Sequence, residues 1–323
     1  MSPGFLEWSR RTNGDDGLRA RTRLALIGVP SSAGGRRTGQ EGAPALFRAA
    51  GLLERLREKG LDVADLGDLP PVSFRPDPEN PRQQNLALVV DVARQVADVV
   101  DQALARRRSP LVLGGDCSLS LGVIAGLLRH HANLGLLYFD GDVDLNTPET
   151  TASGIFDGMV MAHILGRGVP QLAAIGPRRP LLHEESVVLF GYDAGSGWID
   201  PPELEVLERS RMAKYPLAEI RADAAAAARE ALIGLERRSD AILVHFDVDV
   251  MDFPAVDVPH PRGLDAESAF SALELFAASP KCAAVVVTEL NAELDPDGSH
   301  AARLVGGLVE AFGARVGRQE RSN

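Results

Sequence analysis

Six residues able to ligate a metal ion stand in three short runs of this chain. They are Cys117 in LVLGGDCSLSLG, then Asp140, Asp142 and Asp144 in YFDGDVDLN, then Asp247 and Asp249 in VHFDVDVMDFP. Each acidic run follows an apolar stretch and places its acids at alternate positions. If the apolar stretches are strands, side chains at i, i+2 and i+4 share a face. That places Asp140, Asp142 and Asp144 on one side, and Asp247 with Asp249 on one side. Carboxylates brought within a few ångströms raise each other's pKa and oppose ionisation unless a divalent cation neutralises them. The pattern therefore points to a binuclear metal site or to the relic of one.

The elements that must position these acids read as an alternation. Apolar runs at RLALIGVP (Arg23 to Pro30), LDVADL, PLVLGG, LGLLYFD, QLAAIG, SVVLFG, AILVHFDVDV and AAVVVTELN read as strands. Helical spacing of apolar residues predicts helices near residues 44–59, 85–107, 119–130, 159–165, 201–211, 220–237, 266–278 and 301–315. Continuous apolar strands alternating with helices predict an α/β fold, a three-layer α/β/α sandwich around a mostly parallel sheet. Ligands of such sheets bind at the carboxyl ends of the strands, where these acids and Glu289, after VVVT, fall. The Gly-rich loop SSAGGRRTGQEGAP lacks the spacing of a phosphate-binding loop and reads as a plain connection. Residues 1–22 read as a poorly ordered tail, 23–316 as one domain, and 317–323 as a polar tail.

Composition narrows the function classes. Hydrophobic content of 45% with 24% charged residues is that of a globular protein. A net charge of −11 without a basic stripe argues against nucleic acid as a partner. No stretch approaches the roughly 20 apolar residues of a membrane span, nor does residues 1–22 hold the apolar core of a signal peptide, so we expect a cytoplasmic protein without a membrane partner. Two cysteines, Cys117 and Cys282, make no disulfide framework, and Cys282 beside an apolar run reads as a buried, inert thiol.

In order and spacing these motifs resemble the ureohydrolases, the arginase and agmatinase superfamily. LGGDCSLSLG is similar to the motif GGDHS, YFDGDVDLN to DAHxD, TTASGIFDGM to SGNxHG, FDVDVMDFP to SxDxDxxDP, and TELNAELD to ExNP. The resemblance spans about residues 23–316 and implies an arginase-like fold. It also implies a small-molecule substrate, a homo-oligomer (trimer or hexamer), and paired divalent ions, manganese first, that activate water against a guanidinium carbon. One ion would be held by Cys117, Asp140, Asp144 and Asp247. The other would be held by Asp140, Asp142, Asp247 and Asp249.

The departures fall on chemically decisive positions. Cys117 and Asp142 stand where the motifs have ligand histidines, Asp157 where they have a proton-shuttling histidine, and Ile155 where they have the asparagine that in arginases helps hold the amino-acid end of the substrate. In so acidic a shell we expect the Cys117 thiol to stay protonated. Asp157 can transfer protons only if its pKa is raised. Glu289 suits a planar guanidinium or amidinium, and Ile155 and Phe156 are expected to make the mouth apolar. His245 shares the face of Asp247 and Asp249 and is a candidate replacement ligand or base; His260 is a candidate rim residue; His163 reads as structural. The expected catalytic set is Asp157, Glu289 and Asp142. The expected activity is hydrolysis of a C–N bond in a guanidino, amidino or formimino compound other than arginine. The alternatives are metal-free acid–base chemistry on a biosynthetic intermediate, or a pseudoenzyme without catalysis.

Overall fold

The computed structural model describes residues 23–321, with side chains through residue 316. The expected tails at 1–22 and 322–323 lie outside the described residues, and the final helix, Ser299–Arg321, runs on through most of the expected C-terminal tail. The strands are β1 (Arg23–Gly28), β2 (Asp62–Asp68), β3 (Ser109–Leu113), β4 (Leu134–Phe139), β5 (Val187–Phe190), β6 (Ala213–Tyr215), β7 (Ala241–Asp247) and β8 (Cys282–Thr288). They form one sheet in the order β2-β1-β3-β8-β7-β4-β5-β6, and every pairing is parallel.

Alternation along the strands builds two cores, one on each face. Leu137, Phe139, Ile242, Val244 and Phe246 pack on one side with helices 43–49, 52–58, 224–236, 266–277 and 299–321. Leu136, Tyr138, Leu243, Ala284 and Val286 pack on the other with helices 86–105, 120–127 and 160–164. Central strands buried on both faces have no polar side to show, which is why they read as unbroken apolar runs. The three layers follow.

Sequence and structure differ at four places. The expected helix 44–59 is two helices, Ala43–Ala49 and Leu52–Glu58, because Gly51 sits in the left-handed region at φ 79°. QLAAIG is not a strand: Pro170 opens a one-turn helix, Pro170–Ala173, its fixed φ suiting the first helical position. The edge strand β6 went unforeseen because its three half-buried residues make no apolar run. Of the acids only Asp247 is a strand residue, the last of β7. β4 stops at Phe139, so Asp140, Asp142 and Asp144 lie on the following loop, and β7 ends at Asp247 with Asp249 in a 3-10 turn.

Strands β3, β8, β7 and β4 are consecutive in the sheet, so the loops leaving their carboxyl ends are neighbours. Close approach at this edge requires glycine: a Cβ on Gly115 would sit 1.6 Å from the Ser31 carbonyl oxygen. Gly115→Ala is expected to displace the Asp116–Cys117 turn and to lower stability by about 1–3 kcal/mol, the usual range for overpacking. Chemical denaturation of both proteins measures this.

Candidate active site and metal centre

Backbone amides gather the acids. The Asp142 N–H donates to Asp140 Oδ1 at 2.7 Å, and the Asp249 N–H donates to Asp247 Oδ1 at 2.8 Å. Each i, i+2 pair is thus an Asx turn, which brings alternate acids together without an extended strand. The Gly141 N–H donates to Asp249 Oδ1 at 3.1 Å and joins the two loops. The Cys117 thiol donates to Asp247 Oδ2 at 2.8 Å and lies 3.2 Å from the Thr288 hydroxyl.

A cavity of about 400 Å³ opens on the cluster, lined at its floor by Cys117, Asp140, Asp142, Asp144, Asp157, Asp247 and Asp249. All six expected metal ligands therefore reach one cavity. Asp144 is distinct among them. Its backbone is left-handed at φ 50°, and its carboxylate accepts the Tyr138 hydroxyl. Among the described residues, three groups have ligand atoms within 4.8 Å of one another: Cys117, Asp140, His245 and Asp247; Asp142, Asp249 and His260; and Cys117, Asp157 and Glu289. Asp144 belongs to none of them.

Other candidates lie elsewhere. Phe156 is fully buried against His163, ring centroids 5.6 Å apart, and is absent from the cavity wall; only Ile155 of that pair lines the cavity. Glu289 and His260 are likewise absent from the wall. Held at φ 72° after β8, Glu289 accepts from the Gln40 side-chain amide and, at 3.1 Å, from the Cys117 N–H. Glu289 therefore braces the Cys117 turn. The same N–H donates to Asp157 Oδ1 at 2.9 Å, and Asp157 remains half-buried at the wall. His163 is structural as expected: Nδ1 meets the Met159 carbonyl at 2.7 Å and Nε2 accepts the Val169 N–H at 3.1 Å.

The outer wall contains residues that sequence reasoning passed over. Arg36, from the Gly-rich loop, stacks over the Trp198 ring at 5.3 Å, and Glu203 closes one side. Burial raises Glu203 to about 7 even though it accepts the Asp200 and Leu145 N–H groups. The available signal was the loop's place after β1, at the carboxyl edge where ligands bind.

Electrostatics set the state of the centre. Burial, reinforced by neighbouring carboxylates, holds Asp144, Asp247, Asp249 and Glu289 well above the usual carboxylate range. Burial also raises Asp116 and Asp142. Asp157 rises to about 8, through burial first and the charge of Asp116 second. Burial and the adjoining Asp247 push the Cys117 thiol up, so it is protonated as expected. His260 would be lowered by burial, but Asp142 and Asp140 beside it carry it above its ordinary value; the Asp142 contact, 3.6 Å, is too long for a hydrogen bond and acts through charge.

Among relatives of known function, the sequence model of the Arginase family matches residues 22–313. The chain belongs to the arginase family. It is 32% identical over 299 residues to the arginase of Bacillus caldovelox, covering 91% of this chain and 99% of that one. It is 32% identical over 283 residues to mitochondrial arginase-2 of Homo sapiens, covering 84% and 78%. The solved structure of the Bacillus caldovelox arginase superposes with a TM-score of 0.81 at 31% identity, over 90% of this chain and 98% of that one. The Trypanosoma cruzi formiminoglutamase solved with manganese has the same fold, with a TM-score of 0.70 at 20% identity over 91% and 93%. The ureohydrolase resemblance and the α/β fold stand, and this arginase-family chain is a hydrolase-type enzyme by descent. No helix among the described residues is long and apolar enough to cross a membrane.

The donors fit divalent ions. Asp140 Oδ2 and Asp142 Oδ1 are buried without a hydrogen-bond partner, and unpartnered buried carboxylate oxygens are costly unless a cation satisfies them. This links metal binding to pH. An acid raised in the folded state is still protonated where the unfolded chain has ionised, so stability falls as pH rises from the unfolded value, about 4, towards the folded one, about 8 for Asp157. Bound dications favour the ionised forms and oppose that loss. The rise in melting temperature produced by saturating manganese is therefore expected to be larger near pH 8 than near pH 5. Thermal melts with and without the ion measure it, and a shift that shrinks with pH contradicts the account.

Proposed function

We propose that this chain is a divalent-metal-dependent hydrolase that cleaves a C–N bond of a guanidino, amidino or formimino compound. The observation that carries the reading is the pair of carboxylate-rich clusters, with unpartnered oxygens, at the floor of a single cavity. Asp140, Asp142, Asp247 and Asp249, with Cys117 and Asp144 beside them, would hold two ions, manganese first. Such a pair, when bound, polarises substrate and activates water. The residues supply the rest. Asp157 at the wall, raised to about 8, keeps a proton near neutral pH and can pass it to the leaving nitrogen as the C–N bond breaks. Glu289 and Gln40 fix the turn that presents Cys117 and Asp157.

The outer wall argues against arginine as the preferred substrate. Ile155 offers no hydrogen bond to an amino-acid end, and the Arg36 guanidinium over Trp198 repels an α-ammonium group. A substrate with an amidinium-like head and a neutral or acidic tail fits better. A homo-oligomer is proposed from the family resemblance alone.

Elemental analysis of untagged protein is expected to find about two equivalents of manganese, iron, nickel or zinc, lost in Asp140→Asn and Asp247→Asn. Metal-replete protein should then release urea, ammonia or an amine from a member of a guanidine, amidine and formimino panel that includes arginine. Silence across the panel with both ions present would defeat the hydrolase assignment. On the responsive compound, Asp157→Asn is expected to lower kcat by about 10²–10⁴ while metal content holds, the usual contribution of a positioned proton donor.

A further inference from the structure

Two histidines outside the ligand positions of the motifs turn towards the carboxylates. His245 is fully buried on β7, its ring stacked on Tyr138 at 4.2 Å and 8°. Nδ1 is 2.8 Å from the Ser120 hydroxyl, while Nε2 faces Cys117 Sγ at 3.5 Å and Asp140 Oδ2 at 3.4 Å. With Nδ1–H donating to Ser120, the Nε2 lone pair points at the cluster. A hydrogen bond that fixes the far nitrogen is the usual support of a ligating imidazole.

His260 is 3% exposed, and neither ring nitrogen has a hydrogen-bond partner. Its Nε2 lies 3.6 Å from Asp142 Oδ2 and 3.9 Å from Asp249 Oδ2. A buried imidazole with both nitrogens unpartnered is as costly as the orphaned Asp140 and Asp142 oxygens near it. One cation among them relieves these costs together.

We propose that His245 and His260 are metal ligands, one for each ion, taking over from the two histidines that the motifs place where this chain has Cys117 and Asp142. The proposal rests on the binuclear reading above and deepens it: each imidazole is kept, but delivered from a different element. Packing supports each exchange. Where SxDxDxxDP has serine this chain has His245, and the smaller Cys117 opposite leaves room for the ring. Where DAHxD has alanine it has Gly141, and a Cβ there would lie 2.7 Å from His260 Cδ2 and 2.8 Å from Nε2. Losing that methyl group makes room for His260. The resulting donors, imidazole and carboxylate with a neutral thiol alongside, suit borderline ions such as zinc and iron as well as manganese.

The test is metal-edge X-ray absorption on the untagged, full-length, zinc-loaded protein. Four of the positions assigned by motif are filled by Asp140, Asp247, Cys117 and Asp142, and none of the rest is histidine, so imidazole scattering has to come from elsewhere in the chain. We expect about one imidazole per zinc ion, with His245→Asn and His260→Asn each removing part of it. Each variant should also bind one of its two ions at least about a hundredfold more weakly, beyond the usual cost of losing only a ligand's supporting hydrogen bond. Exposed His183→Gln should change neither. The wild-type spectrum requires no variant to fold. Two bound ions with no imidazole scattering overturn the proposal and leave the binuclear reading intact; full scattering and affinity in a folded variant overturn it for that histidine. Failure of the wild-type protein to bind zinc or manganese sinks both.

Discussion

Mutual repulsion among buried carboxylates is the constraint on which the rest of this structure depends. Asp116, Asp140, Asp142, Asp144, Asp157, Asp247, Asp249 and Glu289 crowd the carboxyl edge of the central strands, nearly all shielded from water. No side chain inside the cluster carries a permanent positive charge. Two responses are open to it: retain protons or recruit cations. The fold tolerates this because the strands beneath are rigid and apolar on both faces, so the acids cannot relax by separating.

The acids divide by what satisfies them. Asp116 accepts from Gly34 and Ser118, and Glu289 from Gln40 and Cys117, so both are met by the protein's own donors. Asp140 accepts the Asp142 N–H on one oxygen only, and Asp140 and Asp142 each leave an oxygen unmet inside the molecule. The first group holds the loops in register, and the second faces the site. Tyr138 links two of these parts: its ring stacks on His245, and its hydroxyl donates to Asp144. Register follows from the sheet, since Tyr138 pairs directly with His245 and Asp247 with Thr288.

How much of this was legible depended on the range of the interactions involved. Apolar runs and helical spacing are local, so the three layers could be read from them, and the five motifs in order indicated the family. The alternation argument gathered the correct acids for an inexact reason: Asx turns, and not strand geometry, bring them together. That Phe156 packs beneath the cavity wall and Glu289 behind the Cys117 turn was not legible, because the direction of a loop side chain depends on backbone angles such as the φ of 72° at Glu289. Arg36 was overlooked because nothing in SSAGGRRTGQ reveals that Trp198, far along the chain, will lie under it. His245 could be anticipated from its period-two relation to Asp247. The reach of His260 depends on the absent side chain of Gly141, a contact between distant segments that no local pattern encodes.

Charge balance also bears on the substrate. Under the proposed binuclear reading, Asp140, Asp142, Asp144, Asp247 and Asp249 set five negative charges against four positive ones, leaving one negative charge provided Cys117 stays a thiol, as burial and Asp247 favour. Neutral imidazoles do not alter that sum. Replacing a neutral histidine with Asp142 adds one negative charge to the motif pattern, and a positively charged amidinium or guanidinium head entering the cavity offsets it. Metal-free chemistry would have to leave the same acids largely protonated, where they attract a cationic head weakly. The extra acid therefore matters most when the ions are present, and it favours a cationic head over a neutral amide.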